Sequence, residues 1–314
     1  MTVPIFKVLK PGLQTTIQDL GRYGFREYGV SPSGAMDPYS LQLGNLLVGN
    51  PLYEAALEAS LLGPVLLALT DVSIAICGGN LTPKIDNQEV PLWKSTVIKK
   101  GQTLSFGRVK AGARAYVSVA GGIHVPLVLN SKSTYLTGNF GGLEGRALKK
   151  GDLLHGHPRT IRNRFLHDEF IPEYTNPLTL RIIAGPHQDK FTPLGIQTFL
   201  TEEYIITPQS NRMGYQLSGP KIEHSSTADI ISDAIPLGGI QVPSSGQPII
   251  LMAEHQTIGG YSRIGSVIST DIPLLAQAKP GTMVKFEEIS LQSAQNLVIE
   301  SWKKIKYLEW FSRS

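Results

Sequence analysis

Apolar and polar residues alternate over residues 3–9, the period of a strand with one buried face, and the pattern predicts an edge strand there. The following "PGLQTTIQDLGR" reads as turn, short strand and turn. The period changes at Asp37-Pro38. An aspartate can accept from the free amides of a first helical turn and a proline can open one, so Leu41, Asn45, Leu46 and Val48 predict a helix ending near Gly49-Asn50. "PLYEAALEAS" fits either a second short helix or direct passage into a strand. Strand-like segments then follow in close order, "GPVLLAL", "VSIAICGG", "TPKIDNQEVP", "STVIKKGQTLSFG" and "ARAYVSVAGGI", at the spacing of a barrel or sandwich.

The polar, proline-bounded "GHPRTIRNRFLHDEFIPEYTNP" has little periodicity, and strands resume at "LTLRIIAGP". The boundaries that follow are residues 1–160 for a first half, 161–177 for a linker and 178–314 for a second half. Two phrases recur: "GGIHVP" at Gly121 returns as "GGIQVP" at Gly238, and "KGQTLSF" as "PGTMVKF". Related β modules would explain the echoes, although their unequal spacing argues against a simple tandem duplication. In the tail, Leu291, Leu297, Val298, Trp302, Ile305 and Leu308 stand at helical spacing and predict an amphipathic helix on the second half.

Composition strengthens the β reading. Among 314 residues, 32 glycines and 21 prolines call for many turns, while 41% hydrophobic and 17% charged residues suit a globular core. The net charge of +4 is spread along the chain without a basic run, which argues against nucleic acid. The single cysteine, Cys77, lies in an apolar run and predicts a buried thiol in a reducing compartment. The first residues lack a signal-peptide pattern, and Gly63-Pro64 and Asp71 interrupt the most apolar stretch. A cytoplasmic protein without a membrane segment is expected.

Three glycine-rich polar clusters are the candidates for chemistry: Thr16–Asn50, Ser210–Pro220 and Ile240–Gly265. Glycine permits close backbone approach, and successive amides around it can form an anion-binding concavity; tight turns with solvated polar residues are the alternative. Several standard sites are missing. No GxxxxGK[ST] loop occurs, "GGLEGR" lacks the lysine, and "GVSPSG" is not a nucleophile elbow. His155 and His157 lack further ligands at a recognisable spacing, so no metal is expected.

Taken in order, "TIQDLGRYGF", "GVSPSGAMD", "NLLVGNP", "AALEASLLGP", "GGIHVP", "SKSTYL", "GGLEGRALKKGD", "SNRMGYQLSG", "GGIQVPSSGQPIIL", "QTIGGY" and "PGTMVKF" resemble the biotin-dependent carboxyltransferase-like family, also called the allophanate hydrolase subunit 2 family. The likeness covers nearly the whole chain. It departs at Lys132, where family members usually have arginine, near His255, where they have aspartate, at Ile258 for threonine and at Ser262 for proline. A lysine at 132 keeps the charge but lacks the planar fork for a bidentate anion contact.

The resemblance implies a mainly β fold of two cyclophilin-like β-barrel halves, with a few short helices, a C-terminal helix and a functional groove between the halves. It also implies one component of a multi-subunit 5-oxoprolinase, acting with A and kinase-inhibitor-like B subunits to convert 5-oxo-L-proline to L-glutamate with ATP. On that reading Arg22 and Arg212 suit anion binding, Asp19 suits water orientation or proton acceptance, and Gln241 and Gln256 suit the amide. Asp19, Arg22, Arg212 and Gln256 form the catalytic set. Gln18, Ser33, Asp37, Lys132, Ser133, Gln241, Thr257, Gly259, Gly260 and Tyr261 form the substrate-binding set. ATP would sit at a site shared with a partner protein. Biotin is not expected, since no AMKM-like attachment sequence occurs. Two alternatives stay open: carboxyl transfer from carboxybiotin to urea or a related amide, and a regulatory protein that antagonises a histidine-kinase inhibitor.

Overall fold

A computed structural model describes residues 2–313, with side chains through residue 310. The fold is mainly β, with four α-helices among the described residues. The chain divides into two compact units. The first comprises residues 1–22, 33–173 and 305–314, and the second comprises residues 23–32 and 174–304.

In the first unit the strands lie in two antiparallel sheets. Val3–Lys10 runs between Leu153–Gly156 and Val65–Ala68 in a sheet of seven strands, while Ala111–Val119 runs between Ala56–Ser60 and Val72–Asn80 in a sheet of five. Both sheets supply one core, with Phe6, Val8 and Leu66 from the first and Leu57, Ile74 and Val117 from the second. "PLYEAALEAS" therefore resolves as a turn followed by the strand Ala56–Ser60. That strand is buried along its whole length, so it shows no alternation to be read from sequence.

Helix α1, Pro38–Leu47, begins where the sequence predicts. The Asp37 carboxylate accepts from the Ser40 amide at 2.9 Å and from the Ser40 hydroxyl at 2.6 Å, and Pro38 occupies the first turn. Leu43, Leu46 and Leu47 then pack with Ala75, Cys77 and Ala120 in a second apolar cluster. Residues 161–166 run along this unit. The Ile161 amide donates to Ser73 Oγ at 2.9 Å, and the Arg164 amide donates to Ser95 Oγ at 2.7 Å.

The second unit holds a closed barrel of seven strands, Leu178–Ala184, Arg263–Val267, Gly239–Gln241, Ile249–Leu251, Gly214–Ser218, Tyr204–Ile206 and Met283–Glu288. Met283–Glu288 closes it by pairing in parallel with Leu178–Ala184. Leu178, Leu180 and Ile182 alternate inward with Val284 and Phe286, and α2, Pro193–Thr201, sets Phe199 against Phe286 at a ring separation of 4.4 Å. A two-stranded ribbon, Asp229–Ala234 with Ile258–Tyr261, stands apart from the barrel sheet. The short α3, Ile272–Ala276, precedes the closing strand, and α4, Leu291–Arg313, follows it. Ala294 of α4 is buried, and the helix from Ile305 onward belongs to the first unit.

The sequence echoes are turns of matching construction. Gly122 donates to Val119 O and Gly239 to Pro236 O, while Gln102 donates to Lys99 O and Thr282 to Lys279 O. Gly101 and Gly281 adopt φ of 89° and 88°, a left-handed conformation open to glycine at little cost.

Candidate functional site

The fold collects the first-half candidates around the loop Ser131–Thr134. Gln18 ends the strand Gln14–Gln18, and its buried carboxamide donates to Thr16 Oγ1 at 2.9 Å and to Thr134 O at 3.2 Å. Ser33, in a left-handed conformation, donates to the same carbonyl at 2.7 Å. Arg22 is only 1% exposed; it donates to Ser133 O and lies 4.9 Å from the Phe140 ring centroid. A side chain at Gly141 would collide with Ser133 O and Arg22 Nη2, so glycine lets this layer close.

Asp19 joins these pieces. Its Oδ1 accepts from the Gly21 amide at 2.8 Å, Ser131 Oγ at 2.7 Å and Ser133 Oγ at 2.5 Å, and its Oδ2 accepts from the Lys132 amide at 2.6 Å. A carboxylate offers about four lone-pair directions, so three donors on Oδ1 and one on Oδ2 take up most of what the group can accept. The arrangement suits a fixed anionic anchor for the Ser131–Ser133 loop better than a proton acceptor. Lys132 extends from that loop to Glu54, with Nζ 2.5 Å from Oε1, and donates to Ile123 O at 3.1 Å. Asp37 lies apart from this cluster as the cap of α1, beside a buried chain in which Tyr116 donates to Glu58 at 2.7 Å and accepts from the Asp37 amide at 2.8 Å. Burial, followed by the charges of Glu58 and Asp37, pushes the Tyr116 hydroxyl well above the ordinary phenol range.

In the second unit, Arg212 and Glu254 form an ion pair at 2.6 Å with side chains 4% and 2% exposed, and the Glu254 amide donates to Arg212 O at 2.8 Å. Gln241 is buried, and its Oε1 lies 3.5 Å from the exposed Gln256 carboxamide. Gly259 pairs with Asp233 in the ribbon; a side chain at Gly259 would meet Ile235 and approach Gln241 Nε2 at 2.7 Å. A side chain at Gly260 would meet Ile230 O and Ser232 Oγ only at ordinary contact distance, 3.5 and 3.7 Å, and Tyr261 is 42% exposed. Thr257 accepts from the Ile235 amide at 3.2 Å.

Residues 23–32 dock within this same unit. Arg26 donates to Ile235 O and, at 3.4 Å, to Thr257 O, and Ser31 donates to Ala253 O at 3.1 Å. The polar stretch Thr16–Asn50 is thus divided between the two units. His255 is buried with Nδ1 2.6 Å from Met252 O and Nε2 3.1 Å from Ile235 O. Burial lowers its pKa below the usual histidine value, and the nearby Arg26 charge acts in the same direction.

Sequence reasoning missed Ser131, Glu54, Glu58 and Glu254, and placed Arg26 in the polar cluster Thr16–Asn50 without giving it a role. One signal was available for two of them: Glu58 in "AALEAS" and Glu254 in "IILMAEHQ" are carboxylates within apolar strand-like runs. A charge in such a place requires a partner. Among the described residues, no group of three or more histidine, cysteine or acidic side chains could hold a metal, and no helix is long and apolar enough to cross a membrane.

The sequence profile of the family described as "Carboxyltransferase domain, subdomain A and B" matches residues 28–288. The chain is 38% identical to the 5-oxoprolinase C subunit of Haemophilus influenzae, over 90% of this chain and 91% of that one. With the 5-oxoprolinase C subunit of Escherichia coli the identity is 36%, over 98% of both chains. The crystal structure of the K. lactis urea amidolyase matches with a TM-score of 0.92 at 32% identity, over 97% of this chain. That match takes in only 20% of the urea amidolyase, so this chain spans about one fifth of its length.

Proposed function

We propose, because this chain belongs to the carboxyltransferase domain family of subdomains A and B, that it is the C subunit of a multi-subunit 5-oxoprolinase. With the A and B subunits it hydrolyses 5-oxo-L-proline to L-glutamate at the expense of ATP. The observation that carries this reading is the match through 98% of both this chain and its Escherichia coli relative, with no large region left over on either side.

Opening a lactam is difficult because the amide is resonance-stabilised, and phosphorylation of its oxygen by ATP supplies a better leaving group. The exposed Gln256 carboxamide is the residue we assign to amide recognition, held in place by its contact with Gln241. Asp19, Arg22 and Arg212 act as supports: the first two fix the Ser131–Ser133 loop, and the third holds Glu254, two residues before Gln256. The glycine-rich 141–146 segment does not fit a phosphate cradle. Its Gly142 and Gly145 amides donate to Lys132 O and Gly141 O, and Arg146 is paired with Glu144 and Asp152. No ATP contact is therefore assigned to it.

The test is reconstitution. Glutamate and ADP should form from 5-oxoproline when this chain is mixed with the A and B subunits, with little turnover by this chain alone. Rapid hydrolysis by the single chain, or none by the complete mixture, overturns the proposal. The likeness to urea amidolyase favours a second reading, carboxyl transfer with carboxybiotin carried on another chain. Loss of activity on adding avidin, with rescue by a biotinylated carrier, would select it.

A further inference from the structure

A pocket of about 600 Å³ lies in the first unit, and none of the residues discussed above as site candidates lines it. Its walls come from the end of α1, the segment 163–170 and α4, with Leu46, Leu47, Phe165, Leu166, Phe170 and Leu308 among the apolar lining. Leu46 and Leu47 are buried members of the cluster around Cys77, so this side of the cavity is part of a packed core. The volume is within the range of about 300–1,000 Å³ typical of small-molecule sites.

The polar lining is unevenly charged. Arg164, His167 and Asn163 supply donors, and Glu169 is the one carboxylate among the lining residues. Arg164 is held from two directions: its amide donates to Ser95 Oγ at 2.7 Å, and its Nη1 donates to Leu46 O at 3.1 Å. That carbonyl lies in the last turn of α1, where a cation is favoured. Among the described residues the rest of the guanidinium makes no further hydrogen bond, which leaves part of a planar donor fork beside an apolar cavity. Burying an apolar tail against leucines while offering its charged end to such a fork satisfies both halves of an amphipathic acid.

The geometry points to a small-molecule site in the first unit for an amphipathic carboxylate, with an apolar chain or ring among Leu46, Leu47 and Leu308 and its carboxylate on Arg164. The site is independent of the 5-oxoprolinase reading. Isothermal titration of the full chain with sodium octanoate tests it, with 1-octanol as the uncharged control. Octanoate should bind at one saturable site. Octanol should bind about tenfold or more weaker, and Arg164→Gln should weaken octanoate by a similar factor. Because Arg164 also contacts α1, the variant is first shown to melt as the wild type does. If it does not, His167→Ala, at an exposed lining position, replaces it and should weaken octanoate a few-fold. Absence of saturable octanoate binding up to about 10 mM overturns the inference. So does equal binding of octanol, or undiminished octanoate affinity in the folded variant.

Discussion

Replacing Asp19 by asparagine separates an anchoring role from a catalytic one. The carboxylate accepts four hydrogen bonds, of 2.5–2.8 Å, from Gly21, Ser131, Lys132 and Ser133. Asparagine keeps one oxygen. With its oxygen facing Gly21, Ser131 and Ser133, its amide nitrogen faces the Lys132 N–H, donor against donor. One charge-assisted bond is then lost, about 1.5–3 kcal/mol, and a part-buried amide is left unsatisfied, about 1–3 kcal/mol. The opposite rotamer sets the nitrogen against the Gly21 N–H and takes the acceptor away from the Ser131 and Ser133 hydroxyls, so it offers no escape. A destabilisation of roughly 3–5 kcal/mol follows, and at about 2–4 °C per kcal/mol the melting temperature should fall by roughly 6–20 °C. Thermal unfolding followed by circular dichroism reads the first quantity, and turnover in the reconstituted complex at a temperature where the variant remains folded reads the second. Abolished turnover at an unchanged melting temperature would refute the anchoring argument and return Asp19 to the chemistry.

Three further outcomes are expected. Arg212→Ala should cost roughly 3–5 kcal/mol of stability because it removes the cation paired with the buried Glu254 carboxylate, whereas Arg212→Met combined with Glu254→Met should recover much of it; equal melting temperatures for the wild type and Arg212→Ala would contradict this. Cys77 should resist thiol reagents in the native protein, since burial and then the charge of Asp37 push its pKa well above the ordinary thiol value; rapid stoichiometric labelling without denaturant would argue otherwise. His255 has a lowered pKa in the fold, so the unfolded chain binds the proton more readily and stability should fall as pH drops below about 6.5. His187, also lowered by burial, acts in the same sense, so the measurement is the difference between wild type and His255→Gln in denaturation midpoints at acid and neutral pH; identical pH slopes would exclude His255.

The local signals carried much of the fold. Asp37-Pro38 announced α1 because capping is a matter of adjacent residues, and the barrel strand Leu178–Ala184 alternates inward and outward as its sequence does. The strand Ala56–Ser60 was ambiguous because it is buried on both faces. The site was less legible, for a different reason. The type and clustering of Gln18, Asp19 and Arg22 could be read directly, but their partners lie more than a hundred positions later, at Ser131–Thr134. A carboxylate waiting for solvent and one surrounded by four donors have the same letter. Arg212 likewise gives no sign in its own loop that Glu254 will meet it.

The path of the backbone through the two units limits how this protein can be dissected. The chain passes between them at residues 22/23, 32/33, 173/174 and 304/305. A single cut at 173/174 would leave residues 23–32 on one fragment and their acceptors, Ile235 O and Ala253 O, on the other. The C-terminal fragment would also carry off the end of α4, including Leu308, which packs on the apolar cluster of the first unit. Neither fragment would therefore be a self-contained unit, and each would retain a piece whose hydrogen-bonding or packing surface had been removed. Co-expression of the two halves would become a measure of how well severed segments find their acceptors again, with each fragment serving as the missing template for part of the other.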